Sequence, residues 1–186
     1  MKKYGFLSRM FIWTGFECLG EPTPYGWPWR SSYFGSVDLE GFRKDVCYMY
    51  QSEWTRMPAF HLFPRWNWKS GQTVDVWVYI CCEEVELILI GQSLGVKKKS
   101  GDDLHFMRRV GLVPGTLRAG APSGGKEIRV QEQETAGAPT EIMLVPDRAQ
   151  IAANGEDPSF VTVKVADAEG TIVPDADSLV HLAVEG

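Results

Sequence analysis

The chain has 186 residues, a net charge of −5 at neutral pH and a hydrophobic content of 44%. That composition suits one or two globular domains and excludes a chain disordered throughout, because aromatic and β-branched residues are plentiful. The mild acidity argues against a nucleic-acid partner, and no window of about 18 apolar residues exists to make a membrane-spanning helix. Lys97-Lys98-Lys99 is the one basic run and reads as a solvated strand edge or turn. The four cysteines, Cys18, Cys47, Cys81 and Cys82, show no C-x-x-C spacing, so they read as free thiols rather than zinc ligands. His61, His105 and His181 lie far apart and read as structural. The start of the chain imitates a secretory leader, but Arg9 and Glu17 interrupt the apolar run and no small-x-small cleavage site follows.

Residues 1–10 read as the tail of a helix or a turn. Phe11, Ile12 and Trp13 then predict a short buried strand, since an apolar run without alternation suits a parallel strand covered on both faces. Gly15 and Gly20 let the backbone turn, and Pro22, Pro24 and Pro28 keep the next stretch extended and irregular. This loop is unusual in holding Tyr25, Trp27, Trp29, Tyr33 and Phe34, because surface loops are ordinarily polar. Asp45 is placed to cap a helix over 46–54, in which Val46, Tyr50 and Trp54 share one face. One strand, one loop and one helix make a single βα unit over 1–56, which cannot bury both faces of its strand by itself.

From Ala59 the period changes to two. Residues 73–80 place Val74, Val76, Val78 and Ile80 on one face, and residues 84–90 turn Val85, Leu87 and Leu89 inward. A turn at 91–93, a strand near 94–98, a turn at 100–103 and strands near 104–110 and 115–121 follow. Ser123-Gly-Gly125 turns the chain into a strand over 126–134. About seven short strands at this spacing read as an immunoglobulin-like β-sandwich over 59–135. Thr135-Ala-Gly-Ala-Pro139 has the composition of a linker. Beyond it, 140–145, 159–167 and 179–185 read as strands, with turns at Asn154-Gly155 and Ala168-Glu-Gly170. Such a domain usually needs ~100 residues, so 140–186 reads as about half of a second sandwich. Both ends thus look incomplete for the same physical reason, and the expectation is a piece of a longer protein.

The run Met10-Phe-Ile-Trp-Thr-Gly-Phe-Glu-Cys-Leu-Gly-Glu-Pro-Thr-Pro-Tyr25 resembles the last barrel strand and following loop of glycoside hydrolase family 2 β-galactosidases. Gly26-Trp-Pro-Trp-Arg-Ser-Ser-Tyr-Phe-Gly35, Tyr50-Gln-Ser-Glu-Trp54, His61-Leu-Phe-Pro-Arg-Trp-Asn-Trp68 and Gly91-Gln-Ser-Leu-Gly-Val-Lys-Lys-Lys99 extend the likeness. Phe160-Val-Thr-Val-Lys-Val165 with Val173-Pro-Asp-Ala-Asp177 is similar to the bacterial immunoglobulin-like domain of longer members. The resemblance implies a mainly β chain: immunoglobulin-like sandwiches preceded by the last βα unit of a (β/α)8 barrel. It implies retaining hydrolysis of a terminal β-galactoside by two glutamates ~5 Å apart. In the family both lie on earlier strands, so no catalytic residue is assigned here.

The residues that carry over are Trp13 and Glu17. Barrel sites open at the C-terminal strand ends, and the Trp matching Trp13 forms an apolar platform under the cleaved sugar. Glu17 is assigned either to the mouth of that pocket or to anchoring the loop. Trp27, Trp29, Tyr33, Trp66 and Trp68 read as inter-domain packing. The expected ligand is a β-galactoside, met together with the rest of the barrel; no cofactor, metal, nucleic acid or membrane is expected, and the oligomeric state and compartment are left open. The alternative is a non-catalytic carbohydrate-binding or scaffolding module of tandem immunoglobulin-like domains, which exposed aromatics on one sandwich face would favour. The sequence departs from the family at Ile90, where Asn favours the tight turn before Gly91, and at Arg65, Cys81-Cys82 and 107–111.

Overall fold

A computed structural model describes residues 4–123 and 126–184. The order of elements is α1 (Asp45–Trp54), β1 (Phe60–Phe63), β2 (Thr73–Ile80), β3 (Glu84–Leu89), β4 (Gln92–Lys98), β5 (Phe106–Gly111), β6 (Thr116–Ser123), β7 (Lys126–Glu134), β8 (Glu141–Pro146) and β9 (Val161–Ala166). All named strand pairs are antiparallel.

Strands β1 to β7 form two sheets, ordered β1-β2-β5 and β4-β3-β6-β7. The alternation read from the sequence decides which faces meet. Val74, Val76, Val78 and Ile80 of β2 are buried against Val85 and Leu87 of β3, with Phe106, Val110, Leu117, Ala119 and Ala121 completing the core. Trp66 is fully buried at its edge and donates its indole N–H to the Val113 carbonyl at 3.1 Å. It is a core residue of this sandwich rather than an inter-domain contact. The two sheets are also closed by polar bonds. Gln131 and Gln133 of β7 reach the Leu62 amide and carbonyl, each at 2.8 Å, so the backbone of β1 is satisfied where no strand pairs with it.

The β3–β4 hairpin turns on Ile90 and Gly91, one residue earlier than the 91–93 turn read from the sequence; Leu89 faces Gln92 across it. Both turn residues have positive φ, 49° and 75°. A two-residue turn of this kind matches strand twist, which holds a β-branched residue in a region it rarely occupies. The Ser123-Gly-Gly125 turn lies partly outside the described residues.

Three expectations at the ends of the chain change. Residues 11–13 form no strand: Phe11 and Trp13 are 85% and 73% exposed, since no strand among the described residues offers them ladder bonds. Among the described residues 179–184 there is also no strand, and β8 and β9 stand as a two-stranded ribbon, extended only by the Ala166–Ile172 bridge. Asp45 does not cap α1. Lys44 holds the cap position without a side-chain bond to the helix backbone, and Asp45 lies in the first turn, where its charge suits the helix dipole.

Helix α1 docks on the sandwich. Asp45 Oδ1 lies 2.7 Å from His61 Nε2 of β1, and Tyr48 stacks on the His61 ring at 3.9 Å. Lys99, just past β4, pairs with Glu53 at 3.1 Å and donates to the Ile80 carbonyl at 2.8 Å. The side chains of Lys99 and Glu53 are only 14% and 8% exposed. The basic run is therefore not uniformly solvated: Lys98 pairs with Glu84 in solvent, whereas Lys99 is a buried tie between helix and sandwich.

The connection to β8 is likewise tied down. Asn67 and the Ala136 backbone exchange two bonds, Thr135 Oγ1 donates to the Trp66 carbonyl, and the Asp167 carboxylate accepts from the Gly137 amide at 2.7 Å. Composition marks this stretch as a linker, but its polar groups are used.

Candidate functional site

Residues 14–20 run beside residues 31–37. Ser36 N–H donates to the Thr14 carbonyl, Val37 N–H to Gly15, Glu17 N–H to Val37, Ser32 N–H to Cys18 and Gly20 N–H to Arg30, at 2.8–3.2 Å. Gly35 makes this approach possible, because a Cβ there would lie 2.4 Å from the Glu17 nitrogen. Ser31 and Ser32 are buried and bond Cys18 from their hydroxyls.

Glu17 is buried in this pairing, and its carboxylate accepts from Lys44 Nζ, which also donates to the Tyr33 carbonyl at 2.8 Å. Lys44 precedes α1, so one ammonium joins both arms of the loop to the helix. Trp13 sits immediately before the paired stretch, followed by a cis peptide to Thr14, with its indole turned to solvent. Phe16, Leu19 and Trp27 are also exposed, at 63%, 73% and 88%. Apolar surface of this extent marks a face that meets something else. Tyr25, Trp29 and Tyr33 pack on one another at centroid distances of 5.3–5.7 Å, so these rings fix the loop's own shape. The structure thus brings Trp13 and Glu17 close along the chain but gives them different surroundings: an open indole face and an occupied carboxylate.

A second aromatic face was not singled out from the sequence. The outward side of the β1-β2-β5 sheet carries His61, Phe63, Trp77 and Tyr79 in cross-strand register, with His105 against Trp77 at 4.3 Å. Burial, and secondarily the Asp45 charge, holds the Tyr79 phenol above its ordinary pKa. The outward positions of β2, Thr73, Asp75, Trp77 and Tyr79, were the available signal. Among the described residues no group of three or more His, Cys, Asp or Glu side chains is placed to hold a metal ion.

Comparison with known proteins gives these features a family. Residues 71–129 match a domain of unknown function, DUF4982, and residues 142–186 match the glycoside hydrolase family 2 C-terminal domain 5. The chain is 54% identical over 182 residues to "Beta-galactosidase BoGH2A" of Bacteroides ovatus, covering 97% of this chain and 21% of that protein. It is 24% identical over 155 residues to a "Beta-glucuronidase" of Formosa agariphila, covering 82% of this chain and 16% of the relative. A crystal structure of a glycosyl hydrolase family 2 member from Bacteroides cellulosilyticus superposes with a TM-score of 0.78 at 28% identity, over 86% of this chain and 26% of that one. The chain spans about a fifth of the length of these curated relatives. Sequence and fold together show that the chain belongs to glycoside hydrolase family 2 and carries its C-terminal, mainly β architecture.

Proposed function

We propose that this chain forms one wall of the sugar site, together with accessory sandwich domains, in a retaining glycosidase that removes terminal β-D-galactose. Three units carry it: 1–56 as the end of a catalytic barrel, 59–135 as an immunoglobulin-like sandwich, and 140–186 as part of a second. The carrying observation is Trp13, an open indole held beside a backbone-anchored loop, in a chain 54% identical to part of a β-galactosidase. An indole face complements the C–H face of a galactose ring, leaving the sugar hydroxyls free to bond. Two glutamates of the parent, outside these residues, act as acid/base and nucleophile across an oxocarbenium-like transition state. The exposed Phe11, Phe16 and Leu19 then pack on the rest of the barrel. Glu17 acts through Lys44, holding the loop that follows Trp13 rather than touching sugar.

In the full-length parent, Trp13→Ala is expected to lower kcat/KM on an aryl β-galactoside by about 100-fold, since the platform positions the reacting ring. An unchanged kcat/KM overturns the assignment. The purified 186 residues are expected to release no aryl group from the same substrate; turnover by them would show that the catalytic pair lies within the chain. A parent that prefers aryl β-glucuronides overturns the galactose reading alone.

A further inference from the structure

The outward face of the β1-β2-β5 sheet is only partly covered. Helix α1 occupies one end, where Tyr48 lies over His61. At the other end an open groove of about 320 Å³ remains, lined by Phe63, Pro64, Trp68, Gln72, Asp75 and Trp77 among others. We propose that this groove binds a neutral pyranose unit of an oligosaccharide.

The rings are already held in place. Trp77 leans on His105 at 4.3 Å, Phe63 stacks on His61 at 5.1 Å, and the Trp68 indole N–H donates to the Arg65 carbonyl at 2.8 Å. Ligand stacking on fixed rings loses little side-chain freedom. Trp68 is 46% exposed, leaving ring surface for a ligand. The polar lining suits hydroxyl groups. Asp75 Oδ1 accepts from Arg109 at 3.0 Å, which leaves acceptor capacity on its carboxylate. The Gln72 side chain can both donate and accept. Apolar walls with a few convergent polar groups are the usual make-up of a small-ligand site, and this groove sits at the small end of the ~300–1,000 Å³ range.

Asp75 is the only ionisable side chain among the described residues lining the groove, and Arg109 balances its charge, so the lining offers a carboxylated sugar no cation to offset its dehydration. Geometry favours more than one sugar unit. Trp68 and Gln72 also line an adjoining groove that runs past Asn67 and Lys69 to Thr135 and Asp175. A chain of sugars crossing Trp68 would occupy both.

The test titrates the 186-residue chain with cellotetraose, lactose and glucuronate by calorimetry and by chemical-shift perturbation. The neutral probes are expected to bind, with glucuronate at least about tenfold weaker. Trp68→Ala and Trp77→Ala are each expected to weaken cellotetraose about tenfold or more, equivalent to ~1.4 kcal/mol. Phe160→Ala, at an exposed ring outside the groove, is expected to leave that affinity unchanged. Trp68 is half exposed, so its variant decides the matter even if Trp77→Ala fails to fold. Absence of neutral-sugar binding at tens of millimolar overturns the proposal, as does full affinity in Trp68→Ala. Loss of binding in Phe160→Ala alone also overturns it. None of these results bears on the kinetic test of Trp13 in the parent, so the two readings fail separately.

Discussion

Removing the Glu53 carboxylate should loosen α1 from the sandwich by a measurable amount. The Lys99–Glu53 pair spans 3.1 Å and both side chains are largely buried. At an effective dielectric of about 20 the gross attraction at that distance is ~5 kcal/mol, and dehydration of both ions offsets much of it. The single variant Glu53→Ala is a different case. It leaves the Lys99 ammonium in place with the Ile80 carbonyl still accepting, but without a counter-charge. Breaking one partner of a buried pair costs ~3–5 kcal/mol, and residual exposure of Lys99 puts the expected loss near ~3. Amide hydrogen exchange reads this locally, independent of whether the separate units unfold together. Amides of residues 49–54 are expected to lose about 100-fold protection in Glu53→Ala, since each ~1.4 kcal/mol is tenfold. The double variant Glu53→Met with Lys99→Met should recover most of it, because an apolar pair carries no dehydration penalty. Protection within threefold of wild type in Glu53→Ala, or a double variant no better than the single, refutes the reasoning.

Gly35→Ala should open the pairing of residues 14–20 with 31–37, because the added methyl overlaps the Glu17 amide. A loss of about 1–3 kcal/mol is expected, seen as faster exchange at Ser36 and Val37 and unchanged exchange in β2. Ile90→Asn should raise the melting temperature of the sandwich. It relieves a β-branched residue at φ 49°, worth ~1–2 kcal/mol, while giving up a side chain already 54% exposed; a lower melting temperature counts against this. The Asp167 carboxyl is held below its ordinary pKa chiefly by the Gly137 amide, and then by the Thr171 and Glu169 amides. Its contribution is therefore present above the usual carboxylate value of about 4 and lost as pH falls through the lowered value. Gly137 and Thr171 amide shifts should stay constant from neutral pH to about 5 and move only below about 4, and Asp167→Asn should abolish that movement.

The middle of the chain was legible because each β2 residue declares its face. Val74, Val76, Val78 and Ile80 alternate with polar or aromatic residues, and a period of two has one reading when a core lies on one side. Helix α1 was equally plain, to within a residue of its start. The motif around Trp13 was readable only through likeness to a family, since nothing in its periodicity distinguishes a platform from a buried strand.

What the sequence by itself determined was therefore local: the sandwich strands, the positions facing its core, and the aromatic loop with Trp13 at its start. What only the tertiary structure decided was pairing between distant residues. Glu17 meets Lys44, Glu53 meets Lys99, Asp167 meets Gly137, and Trp68 stands beside Trp77 over an open groove. Periodicity assigns a residue to a face but does not choose its partner, because that choice depends on how separate elements dock. For residues 11–13 the same physics ran in reverse. An apolar run becomes a strand only when neighbours supply its backbone bonds, and no neighbour among the described residues does.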